Sequence, residues 1–259
     1  MCYIGVDLGG SHIGVGLVNE DGAILEKLEI DISLKETLNI EECIINNIET
    51  TVEEILKKSN KSIQEIQYIG IGCPGTISEN KIIYSNNIKL SNFDLATELN
   101  KKIGIPVYIL NDAKCAAIAE KVCGSIKNYT SAIMLTLGTG IGGAVILNNK
   151  LLTGKNYIGC ELGHIVINSN GKQCTCGRKG CFETYGSMRL LKDRIKERLG
   201  LSKEISGKEL VELIKKEENR IKIEDIIDEY AKCLAVGIGN LINIFEPEIV
   251  VLRRKFCLL

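Results

Sequence analysis

One local design occurs twice in this chain, and it restricts the fold more than any other feature. Residues 2–8 and 12–19 read as two apolar strands joined by Gly9-Gly10-Ser11. Residues 131–137 and 142–148 read as two more, joined around Gly138-Thr139-Gly140. The alternation through Ile13, Val15 and Leu17 is the period of two expected of a half-buried strand. A strand, a glycine turn carrying a hydroxyl, and a second strand, repeated at a distance, imply two related α/β lobes. We place their division at 1–111 and 112–259.

The stretches between support that class. A third strand reads over 23–30, then a helix over 40–58 with Ile44, Ile48, Val52, Ile55 and Leu56 on one stripe. A strand over 66–72 stops at Pro74-Gly75, and helix 93–102, strand 106–110 and helix 112–123 follow. Beyond the second glycine turn, helices are expected over 186–198, 206–217 and 222–244, and a strand over 248–252. With 259 residues and 45% hydrophobic content the chain can bury a sizeable core. Lys+Arg number 32 and Asp+Glu 33, so no basic excess points to nucleic acid. No apolar run reaches membrane length, and the start does not read as a secretory leader. These features lead us to expect a soluble, cytoplasmic protein.

Four groups of residues carry chemistry. The turns at Gly9-Gly10-Ser11 and Gly138-Thr139-Gly140 present backbone N–H groups that phosphate oxygens can approach closely, because no Cβ intervenes. Each alone reads equally as an ordinary hairpin turn; as a pair they suit a cleft holding a triphosphate. Neither is a Walker loop. Asn111-Asp112 stands at a strand-to-helix junction, where the aspartate can take a proton from an attacking hydroxyl, or where the pair can cap the helix. Both roles are compatible. His164-x9-Cys174-x-Cys176-x4-Cys181 gives one imidazole and three thiolates, a set suited to a closed tetrahedral Zn²⁺ site of structural type. Glu161 and Glu183 flank these ligands and read either as acceptors for sugar hydroxyls or as solvated carboxylates. The other eight of the 11 cysteines are dispersed and read as reduced thiols.

Taken in order, Asp7-Leu8-Gly9-Gly10-Ser11, Asn111-Asp112-Ala113, Leu137-Gly138-Thr139-Gly140-Ile141-Gly142, Glu161-Leu162-Gly163-His164 and the segment Cys174 to Glu183 resemble the ROK family of bacterial sugar kinases and sugar-responsive repressors. The resemblance runs from residue 3 to residue 252. It implies a two-lobed actin/hexokinase-like (ribonuclease H-like) α/β fold with a zinc-bound loop. It also implies ATP-dependent phosphorylation of a hexose, foremost glucose to glucose 6-phosphate, as in the glucokinases of carbohydrate metabolism and glycolysis. On that basis Asp112 would be the general base, and Asn87, Asn111, Asp112, Glu161, His164 and Glu183 would hold the sugar. Gly9, Gly10, Ser11, Gly138, Thr139 and Gly140 would line the phosphate site, with Mg²⁺ bridging the phosphates of ATP. Structural Zn²⁺ would sit on His164, Cys174, Cys176 and Cys181. The partners implied are hexose, ATP and further copies in a homodimer or homotetramer, with no nucleic acid and no membrane.

The chain departs from the family pattern at several points. Ser11 stands for threonine, His12 for a frequent lysine, Lys114 for an asparagine and Cys160 for a glycine. At the end, Leu252 is followed by Arg253-Arg254 rather than by a glycine turn that packs on adenosine. Glycine codons read one base out of step give Arg-Arg, so we expect a frameshift at Leu252 and a truncated chain with weak kinase activity. The alternative reading is a non-catalytic sugar-binding regulator or an inactive relic of a kinase. Repressor members carry a winged-helix domain ahead of the first strand, and Asp7 lies close to the start here, so DNA binding is not expected.

Overall fold

The computed structural model describes residues 1–33, 38–156, 158–202 and 205–254. The chain opens with three strands, β1 (Cys2–Leu8), β2 (His12–Asn19) and β3 (Ile24–Asp31), followed by helix α1 (Ile40–Lys58). Strand β4 (Ile66–Cys73) leads into three short strands, β5 (Thr76–Ser78), β6 (Lys81–Ser85) and β7 (Leu90–Phe93). Helix α2 (Leu95–Ile103), strand β8 (Val107–Asn111) and helix α3 (Asp112–Cys123) come next. After these lie β9 (Ala132–Leu137), β10 (Ile141–Leu147), β11 (Lys150–Leu151), α4 (Glu183–Gly186), α5 (Met188–Leu199), α6 (Gly207–Lys215), α7 (Glu217–Phe245) and β12 (Ile249–Arg254).

Contacts gather the described chain into two compact units. The first comprises Met1–Asn128 and Leu151–Gly159, and the second Tyr129–Lys150 and the chain from Cys160 onward. The division expected at residue 111 falls inside the first unit, because α3 packs on β4 and β8.

In the first unit a five-stranded sheet runs in the order β3-β2-β1-β4-β8. The pairs β1–β2 and β2–β3 are antiparallel, while β1–β4 and β4–β8 are parallel. Period-two patterning explains which face is covered: Ile4, Val6, Leu8, Ile13, Val15, Leu17, Ile69 and Ile71 are all buried in one core. Helix α1 joins that core through Ile44, Ile48, Val52 and Ile55, each at three- or four-residue spacing. Its ends are defined locally. Asn39 accepts from the Glu42 N–H at 3.1 Å, Glu41 and Glu42 lie in the first turn, and Lys57 and Lys58 in the last, as the helix dipole favours. Helix α2 starts on an Asp94 cap and ends at Gly104, whose φ of 83° is left-handed.

A separate three-stranded sheet in the order β5-β6-β7 was not foreseen. Its first hairpin turns through Glu79 and Asn80, with φ of 48° and 62°. Asn80 also accepts from the Ile109 N–H at 3.1 Å, which fastens the hairpin to β8.

In the second unit the sheet order is β11-β10-β9-β12. Strands β9 and β10 form the antiparallel hairpin expected from the second glycine turn, and β12 runs parallel to β9. Strand β12 continues through Arg253 and Arg254, which pair with Thr136 and Leu137. Lys255 to Leu259, where the displaced frame was expected to continue, lie outside the described residues. Helices α5, α6 and α7 share a second core around Ile195, Leu210, Ile223 and Ile226. Among the described residues no helix is long and apolar enough to cross a membrane.

Candidate functional site

In the first unit the site is built on the carboxyl ends of three parallel neighbours. Register places Asp7 of β1 opposite Gly72 of β4, and Cys73 of β4 opposite Asn111 of β8. Ligand sites in open sheets form at such ends, where the chain leaves the ladder and its side chains and N–H groups face outward.

Beyond Asp7 the chain reverses at Gly10 and Ser11, with the Gly9 N–H donating to the His12 carbonyl at 3.0 Å. The turn has no room for side chains. A methyl group at Gly10 would fall 2.7 Å from the Asn87 carbonyl oxygen, and one at Gly9 would fall 2.7 Å from Cε1 of His12. The turn therefore lies between Asn87, in the β6–β7 connection, and the His12 ring. The Asn87 carbonyl oxygen is thus brought against the turn at Gly10.

Asn111 and Asp112 stand where β8 becomes α3. The Asn111 Oδ1 accepts from the Ala113 and Lys114 N–H groups at 3.0 and 3.3 Å, which makes it the helix N-cap. Its Nδ2 donates to the Gly75 carbonyl at 3.1 Å. Gly75 has φ of 112° and abuts the backbone of Tyr84 and Ser85, so no other residue fits there. Asp112 Oδ1 accepts from the Ala113 N–H at 2.9 Å. Behind this junction lie Cys73 and Cys115. Burial, and then the negative charge of Asp112, push both thiols up to about 12, so they remain neutral at physiological pH. Lys114, next but one to Asp112, is buried.

In the second unit the Gly138–Gly140 turn is closed by a bond from the Gly138 N–H to the Gly140 carbonyl at 3.0 Å. The Gly138 carbonyl accepts from the Arg189 N–H at 3.2 Å, in the first turn of α5. Any side chain at Gly140 would meet the Glu183 carboxylate. Gly140 is therefore a direct neighbour of the Glu183 carboxylate.

His164, Cys174, Cys176 and Cys181 converge, and their ligand atoms all lie within 4.8 Å of one another. His164 Nδ1 is 3.7 Å from Cys174 Sγ, and the Sγ atoms of Cys176 and Cys181 are 3.6 Å apart. A tetrahedral Zn²⁺ with thiolate bonds of about 2.3 Å has edges of about 3.8 Å, so the donor set fits that ion in kind and in spacing. The loop folds this way because of its glycines and its one large apolar residue. Gly177 and Gly180 have φ of 87° and 76°, and the Gly180 Cα is pressed against the Asn168 carbonyl. Phe182 is fully buried, with its ring against Gly237 of α7.

Glu183 Oε1 lies 3.2 Å from Cys174 Sγ and 3.7 Å from His164 Nδ1. This carboxylate touches both the ligand cluster and the glycine turn. Glu161 is exposed at the start of the same loop. Cys160, just before it, has φ of 66°. That left-handed backbone gives a physical reason for a glycine at this place, and here a side chain is carried there under strain.

Both units are of α/β type, each carries a glycine turn between antiparallel strands, and the second holds a three-thiol, one-imidazole cluster. Residues 3–256 match the family model described as "ROK family". The chain belongs to the ROK family. Among its relatives is a glucokinase from Thermotoga maritima, 36% identical over 96% of this chain and 80% of that protein. Another is the xylose repressor of Bacillus subtilis, 31% identical over 95% of this chain; the chain spans 63% of the repressor's length. The fold is that of a ROK family glucokinase from Streptomyces griseus crystallised with glucose and AMPPNP. That structure superimposes with a TM-score of 0.81 at 28% identity, over 98% of this chain and 83% of the other.

Proposed function

We propose that the chain is an ATP-dependent hexose kinase that forms glucose 6-phosphate from glucose. The observation that carries this reading is the placement of Asp112 at the carboxyl end of β8, in the row of strand ends that includes Asp7 and its glycine turn. A carboxylate held there by the Ala113 N–H is a base with fixed direction. Likeness to glucokinases over nearly the whole chain supports the same reaction.

In this mechanism Asp112 accepts the proton of the sugar hydroxyl, and the oxygen attacks the γ-phosphorus. The bond to the bridging oxygen of ADP breaks, and ADP leaves with its electron pair. The turn at Gly9–Ser11 and that at Gly138–Gly140 offer N–H groups to phosphate oxygens. Mg²⁺, when bound, neutralises charge on the phosphates. Asn87 and Asn111 in the first unit, and Glu161, His164 and Glu183 in the second, each offer polar groups suited to sugar hydroxyls. The Nδ1 of His164 faces the thiols, so Nε2 is the ring nitrogen for a sugar hydroxyl. Zn²⁺ on His164, Cys174, Cys176 and Cys181 would hold the loop that bears Glu161 and Glu183, with no open coordination position.

A second reading is a sugar-responsive regulator without catalysis, favoured by the likeness to xylose repressors. One experiment separates the two. A hexose panel with Mg-ATP is assayed for the chain and for Asp112→Asn, alongside calorimetry with glucose and xylose. For a kinase, glucose is phosphorylated and Asp112→Asn lowers kcat by about a thousandfold while sugar still binds. Sugar binding without turnover in the unsubstituted chain decides against the kinase and for a non-catalytic sugar binder, regulator or relic.

A further inference from the structure

The two sheets repeat one plan, and among the described residues the second is one strand narrower. The first runs β3-β2-β1-β4-β8 and the second β11-β10-β9-β12. Strands β1 and β9 each take an antiparallel neighbour on one side, β2 or β10, and a parallel one on the other, β4 or β12. In the first sheet β8 then lies along the far side of β4. Among the described residues no strand takes that place beside β12. Burial agrees with an edge. Ala132 to Leu135 of β9 are buried, whereas Ile249, Val250 and Val251 of β12 are half-buried and Leu252 is 48% exposed.

The edge is apolar: Ile249-Val250-Val251-Leu252 holds no charge, proline or glycine. Such an edge is a template for another strand. It is also complementary to itself. Turned antiparallel about a twofold axis at Val251, two copies set Val251 against Val251, Val250 against Leu252, Ile249 against Arg253 and Glu248 against Arg254. Alternate residues of a strand turn their backbone groups to the same side. This register sets each alternate set against itself, so outward N–H and C=O groups meet outward groups. The Val250–Leu252 pair occurs twice and covers the exposed leucine. Opposite charges fall together at both ends, and no like charges meet. A register shifted by two residues loses that match of charges.

We propose that the free edge of β12 is an interaction surface for a second copy of this chain, the two β12 strands pairing antiparallel to join the four-stranded sheets into one. This inference is independent of whether the chain transfers phosphate.

The test combines sedimentation velocity over a range of concentrations with amide hydrogen exchange of the unsubstituted chain. A dimer with a micromolar dissociation constant is expected, as befits a small interface, and exchange over residues 249–253 should slow as the dimer fills. Leu252→Lys places a cation against Val250 twice per dimer and should weaken association by at least about tenfold. Tyr108→Lys alters an exposed aromatic residue of the first unit and should leave it unchanged. A chain that stays monomeric to about 100 μM overturns the proposal. So does exchange over 249–253 that is already slow in the monomer, since the chain's own residues would then cover the edge. Open-ended oligomers, or a dimer lost in Tyr108→Lys and kept in Leu252→Lys, also count against it. The exchange measurement needs no substitution, so it decides even if Leu252→Lys does not fold.

Discussion

At the scale of single residues, backbone conformation explains several side-chain choices. Cys160 holds φ of 66°, where an L-residue is strained. Comparing Cys160→Gly with Cys160→Ala removes the thiol in both and isolates the backbone term. Glycine at 160 should be the more stable by about 1 kcal/mol in chemical denaturation. Equal midpoints would show that the left-handed backbone costs nothing here. The same logic made part of the site readable from the sequence. Gly9 and Gly10 stand in a turn that the sequence marks, and the structure gives each a close approach as the cause. His12 was noted only as a substitution. Its contact with Asp7 depends on a strand register and a ring rotamer, neither of which a list of residues expresses.

At the scale of elements, the long patterned segments were legible and the short ones were not. Helix α1 and strands β1, β2, β9 and β10 follow their apolar periods to within a residue of expectation. Strands β5, β6 and β7 span three to five residues each, too few for a period to show, and Glu79 in a left-handed turn gives no sequence signal. That omission matters, since the β6–β7 connection delivers Asn87 to Gly10. Helix α3 offers the sharpest test at this scale, because its cap is also a proposed sugar ligand. Asn111→Ala removes both the cap and the bond to Gly75, and should cost about 1–3 kcal/mol by thermal or chemical unfolding. Asn111→Asp keeps the acceptor for the Ala113 N–H and loses only the donor to Gly75, so it should recover about half of that loss. If both variants are equally unstable, the cap does not govern the start of α3.

At the scale of the whole molecule, the chain forms two units with separate cores, and the four candidate metal ligands lie in one of them. The ligand loop from Cys160 to Phe182 has few buried apolar side chains, chiefly Leu162 and Phe182 beside two of the cysteines. Its order rests on the glycines, and an ion held by the four side chains would add to it. Calorimetry with and without a strong chelator should therefore show unequal effects. The transition of the second unit should fall by about 10 °C or more, while that of the first stays within about 2 °C. A single transition that moves as one would mean that the two cores unfold together, and an unmoved one that no ion is held. The two-lobed organisation could be read early because the glycine hairpin repeats. The inclusion of Leu151–Gly159 in the first unit could not, since nothing local in that segment indicates which core it joins.

The double commitment of Asn111 bears on how a protein of this kind can change over generations. Its Oδ1 starts a helix and its Nδ2 braces the Gly75 bend, so drift at this position is filtered by folding before any sugar is sampled. Asn87 meets Gly10 through its backbone carbonyl, a contact that many side chains would preserve. New substrate preferences should accumulate at positions like 87, and lineages with different diets should still share the residue at 111.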